Sequence, residues 1–135
     1  MSALIVSTID DALHDLRDRF GEGSVTVLGS DTGGTWVRIN DVALGGVWTQ
    51  KSTFVIVHLA TTLPFADIYP VFVRANLSRS DGLPLQAPVT PGHQAGPTGA
   101  HVATVQISRR TRGDTSRQTA GQKVAKVVEW LRVQP

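Results

Sequence analysis

Between Val25 and Leu59 the chain holds three segments in which apolar and polar residues alternate and β-branched residues recur: Val25 to Leu28, Thr35 to Leu44 and Thr53 to Leu59. Alternation of this kind marks strands that bury one face. The connections are short and carry the glycine pairs Gly33-Gly34 and Gly45-Gly46. Parallel pairing needs a crossover of about a dozen residues or more, usually a helix, so these connections dictate an antiparallel meander. A fourth strand is expected over Val71 to Leu77, reached through the segment from Pro64 to Pro70.

Helices are expected at both ends. Ile9, Leu13, Leu16 and Phe20 recur at spacings of three and four, with acids and arginines on the other face, which is the pattern of an amphipathic helix. Ser7 or Thr8 can cap it, Asp10 and Asp11 suit the positive end of its dipole, and Gly21 ends it. A second helix is expected from about Ser116 to Val133, with Ala120, Val124, Val127, Val128 and Leu131 as its buried stripe and Trp130 beside it. Before it, Ser78 to Ala100 reads as a long irregular loop rich in Gly and Pro, and His101 to Ser108 as a last extended segment. Loops of this length inside a domain tend to carry function. The expected fold is a single α+β domain spanning residues 1–135, with an N-terminal helix, a meander of about four strands, a long loop, and a C-terminal helix on the same sheet face.

Composition excludes several chemistries. The chain contains no cysteine, so thioester, disulfide and thiolate-metal chemistry are closed to it. No apolar run approaches the ~18 residues of a membrane-spanning helix, and Met1 to Val6 lacks the basic start of a secretory signal; a cytoplasmic location is the expectation. Net charge is +2, but it is unevenly placed. Asp10, Asp11, Asp15, Asp18, Glu22, Asp31 and Asp41 crowd the first third, and Arg109, Arg110, Arg112, Arg117, Lys123, Lys126 and Arg132 the last.

Few motifs carry chemistry. Asp31-Thr32-Gly33 matches the catalytic tripeptide of aspartic proteases, yet Gly29 and Ser30 precede it and Gly34 follows, which makes it a hairpin turn. His14, His58, His93 and His101 fall in no metal-ligand spacing, and no metal or cofactor is implied. His14 and His58 read as ordinary structural residues. His93 and His101 flank the long loop and are the candidates for proton transfer in a small hydrolase. The cluster Arg109, Arg110 and Arg112 is the candidate binding patch, able to fork onto carboxylates or to contact nucleic-acid phosphates, although no interleaved aromatics offer base stacking.

The stretch Leu63-Pro64-Phe65-Ala66-Asp67-Ile68-Tyr69-Pro70 resembles the segment of ubiquitin-conjugating (E2) folds and their RWD-like relatives in which a strand ends in a proline turn followed by Tyr-Pro. Val105 to Arg110, followed by the helix ending Glu129-Trp130-Leu131, resembles a bacterial E2-like branch that lacks the catalytic cysteine. The pattern departs at Arg110, where that branch has His, and at His93-Gln94-Ala95, where E2 enzymes have His-Pro-Asn. The catalytic position falls near His101 or Val102, neither of which forms a thioester. The resemblance implies an E2-like scaffold, structural roles for Pro64, Tyr69 and Pro70, and a non-catalytic module that binds a protein such as a ubiquitin-like protein or its activating enzyme. The face formed by Ser78 to Ala100 with Arg109, Arg110 and Arg112 is then the expected working surface.

Overall fold

The computed structural model describes residues 8–63, 66–113 and 118–134. Helix α1 covers Thr8–Phe20, and α2 covers Ala120–Arg132. The start expected for the second helix, near Ser116, lies outside the described residues, as do Pro64 and Arg117. Thr119 caps α2: its hydroxyl accepts from the Gln122 amide, and the Gln122 side chain accepts from the Thr119 amide. That reciprocal arrangement satisfies two backbone donors at the helix start.

The strands are β1 (Val25–Asp31), β2 (Gly34–Ala43), β3 (Ser52–Ala60), β4 (Val71–Arg74), β5 (Val89–Ala95) and β6 (Val102–Ile107). They form one antiparallel sheet in the order β1-β2-β3-β4-β6-β5. This corrects the expected α+β meander of about four strands. Two further strands extend the sheet, and one of them, β5, lies inside what reads as irregular loop. Its sequence hides it. Pro91 and Gly92 break the alternation, and they fall between Thr90 and His93, where the register with β6 shifts. A proline has no amide to donate, so it is tolerated at a bulge on an edge strand.

Both helices lie on one face. Ala12 and Leu16 from α1 and Val124, Val127, Val128 and Leu131 from α2 share a core with Val37, Ile39, Val55, Val57, Val71 and Val105. The opposite face carries a smaller cluster of Ile56, Phe72 and Ala95 with Leu28, Trp36, Phe54 and Val102 against it. Over that face the β5–β6 connection reaches back to β1, where a side chain on Gly29 would stand 3.0 Å from Pro97 Cγ. No helix among the described residues is long and apolar enough to cross a membrane.

Candidate functional site

Beyond Ile107 the chain leaves the sheet and passes α2, and one buried ammonium fixes its path. Lys123 is 4% exposed. Its Nζ donates to Arg109 O at 2.7 Å, Thr111 Oγ1 at 3.0 Å and Asp67 Oδ2 at 3.3 Å. The Asp67 carboxylate also accepts from the Thr111 amide at 2.6 Å and the Thr111 hydroxyl at 2.7 Å. Since the hydroxyl proton goes to Asp67, Thr111 Oγ1 can only accept from Gln118 Nε2, at 2.6 Å. Three separate pieces of chain are thereby tied together ahead of β4, after β6 and on α2.

The two charges of this pair fare differently. Burial alone would raise the Asp67 pKa, but the Thr111 amide and hydroxyl, followed by Lys123, outweigh it and hold the carboxyl below its ordinary value. For Lys123 burial dominates and lowers the pKa, Asp67 opposes that, and the charges of Arg109 and Lys126 push further down. Removing an ammonium from water is expensive even with a partner. The pair therefore acts as a positional pin more than as a source of net stability.

What the pin positions is basic. A concavity of about 250 Å³ lies between the 109–112 segment and α2, lined by Arg109, Arg110, Arg112, Gln118, Lys126 and Val127 among others. The Arg109 guanidinium lies 4.5 Å from the centre of the Trp130 ring, and that of Arg110 lies 4.0 Å from the centre of the Tyr69 ring. Arg109, Arg110, Arg112 and Lys126 make no ion pair with a described residue. Stacking restrains the two guanidinium planes while leaving their N–H edges available, which favours planar recognition of carboxylate or phosphate. On the other side of Gln118 and Lys123 a second cavity, of about 210 Å³, has the apolar walls Ala12, Leu63, Ile68 and Ala120 with Asp11 and Asp15 at its rim.

No family model, curated protein or solved structure matches this chain significantly.

The structure sorts the sequence candidates. Arg109, Arg110 and Arg112 come together as one basic surface. Ser108 N donates to Pro88 O at 3.0 Å, so residues just before β5 adjoin that surface. His93 and His101 stand at the far end of β5 and β6. His93 lies opposite Thr104 and its Nε2 is 3.4 Å from Thr90 Oγ1; no hydrogen bond joins it to the exposed His101. Tyr69 is half-buried beneath Arg110, and Pro70 follows it through a cis peptide bond into β4. Asp31 sits at the β1–β2 hairpin, its Oδ1 accepting from the Gly33 and Gly34 amides, each at 2.9 Å, which is a turn device. His58 is partnered with it at 3.3 Å, and Trp36 donates to its other oxygen at 3.2 Å. Sequence reasoning missed Asp67 and Thr111 as parts of the site and placed Lys123 only among the basic residues of the last third. A lysine three residues after Ala120 and four before Val127, within an apolar helical stripe, was the one available signal.

Proposed function

We propose that this chain is a non-catalytic protein-interaction module that engages a carboxylate-bearing protein surface through the basic concavity beside α2. The observation that carries the reading is the set of four cations, Arg109, Arg110, Arg112 and Lys126, converging on one concavity without an ion-pair partner among the described residues. A proton-transfer enzyme using His93 and His101 has less support, because the two rings share no hydrogen bond and His93 is engaged with Thr90.

Nucleic acid is the competing anion. A phosphate track extending across the helix layer would meet α1, whose exposed residues include Asp10, Asp11 and Asp18. The rings nearest the concavity, Trp130 and Tyr69, already carry guanidinium groups, so base stacking would have to displace them. Both points favour protein carboxylates. As part of the same proposal, the partner belongs to a bacterial ubiquitin-like system, as a ubiquitin-like protein or its activating enzyme, and the module works in the cytoplasm. That narrower identity rests on the short E2-like motifs, not on the sheet, which has more strands than the alternation of the sequence predicts.

Isothermal titration with acetylated pentaglutamate tests the proposal. Replacing Arg109, Arg110 and Arg112 together by Ala is expected to weaken binding about tenfold or more, the scale of losing one or two charge-assisted hydrogen bonds. Equal affinity in the triple variant overturns the reading. Tighter binding of an oligothymidylate of equal charge, with a steep salt dependence, turns it toward nucleic acid.

A further inference from the structure

Leu83 and Val133 are large hydrophobic side chains left 59% and 64% exposed. Both stand at the end of the molecule where α2 finishes. There a groove of about 160 Å³ is lined by Trp48, Leu83, Pro84 and Leu85 with the polar Arg79 and Gln134, among others. Its floor is rigid, because the Trp48 indole N–H donates to Leu131 O at 2.8 Å. Gln134 Nε2 in turn donates to Trp130 O at 2.8 Å, and the Trp130 ring carries Arg109. The wall of the groove is joined to the arginine segment a second time by the Ser108 to Pro88 hydrogen bond. Groove and basic concavity are thus neighbours, connected through Trp130.

We infer that the two form one bipartite docking surface for an extended acidic segment of a partner protein, which seats a large apolar side chain in the groove and its carboxylates on the arginines. This rests on the proposed reading of the basic concavity and specifies what it binds. Charge complementarity supplies the acidic half, since the cations there have no internal carboxylate to satisfy them. The exposed Leu83, with Pro84 and Leu85 beside it in the groove, supplies the other half: an apolar surface beside a polar rim is how protein docking sites gain affinity at the centre and orientation at the edge. A groove this small suits one side chain better than an acyl chain, which favours a peptide over a membrane. α2 carries Lys126 ~9 Å along its axis from Arg132, its last residue, and Gln134 lies two residues beyond, a span on the order of 12 Å. An extended chain covers that distance in about four residues at ~3.3 Å each. The partner segment therefore places its apolar anchor about four positions from its acids.

Fluorescence anisotropy with labelled peptides tests the inference. The probe carries phenylalanine four positions before a pair of glutamates; one control replaces phenylalanine by alanine, and a second places it directly beside the glutamates. Wild-type protein is expected to bind the spaced phenylalanine probe about fivefold or more tighter than either control, the scale of burying part of an aromatic side chain. Leu83→Ser, an exposed change whose fold is checked by thermal melting, should erase that advantage and leave the alanine control unaffected. If Leu83→Ser binds all three peptides as the wild type does, the bipartite surface is wrong, even though the arginine triple variant still loses the glutamates and the basic reading stands. If the arginine triple variant binds all three unchanged, the basic reading fails with it. Binding of phosphatidylserine vesicles with the same Leu83 and arginine dependence, in the absence of peptide binding, also overturns the inference.

Discussion

Asp31 and Asp67 are both carboxyls held below their ordinary pKa, but they are held by opposite means. Asp31 is exposed, and its shift comes first from the hydrogen bond of His58, with the Gly33 amide and the Trp36 indole adding to it. Apart from His58, two strands away on β3, those partners lie within five residues of it. Asp67 is nearly buried, with a side chain 11% exposed, and its partners Thr111 and Lys123 are 44 and 56 residues away in the chain. One carboxylate finishes a turn. The other joins distant segments and fixes the backbone that carries the arginines. Around Asp31 most bonds are local to its own hairpin, with one ring added from β3; where they are long-range and buried, removing one partner leaves a charge stranded in the interior.

That contrast predicts unequal consequences. Asp67→Ala should be the most damaging change, costing about 3 kcal/mol in urea unfolding, because it leaves the Lys123 ammonium buried without its counter-charge. The double variant with Lys123→Met should recover part of that loss, as double-mutant cycles show for coupled groups. An unchanged urea midpoint for Asp67→Ala would remove the pin from the account. At the hairpin, backbone geometry outweighs the carboxylate. A side chain on Gly34 would collide with the Leu59 carbonyl oxygen, so Gly34→Ala should cost about 2 kcal/mol by the same measurement, and free tolerance of alanine there would contradict the register of β2 against β3.

Acid sharpens the comparison further. A carboxyl whose pKa is lowered on folding contributes stability that is complete above its unfolded value, 3.8 for Asp67, and is lost as pH falls through the folded one. Stability should therefore decline below about pH 4, and the decline should be shallower in Asp67→Asn. Lys123 works with the opposite sign: its lowered pKa costs stability at neutral pH, and that cost is relieved as pH rises toward 10.5. Smallest of all should be the effect of Asp31→Asn at neutral pH, where solvent can replace the lost partners and the thermal midpoint should barely move. A large shift there would mean the hairpin depends on the charge itself.

The amphipathic stripes of both helices, the positions of β2 and β3, the turn role of Asp31 and the absence of thiol chemistry are legible in the residues alone, because periodicity and turn chemistry act between residues close in the chain. Even there the alternation sets β1 too short and β4 too long, since strand ends depend on the partner strand. Tertiary structure alone decided that Val89–Ala95 joins the sheet, that β6 stands between β4 and β5, and that His93 and His101 are remote from the arginines. It also turned Lys123 from one of the basic residues of the last third into a buried pin. A bulge that shelters Pro91 and Gly92 erases the alternation by which an edge strand is recognised, and an ammonium is buried only when acceptors from distant segments converge on it. Neither condition is written in any one stretch of residues; both follow from the pairing of segments far apart in the chain.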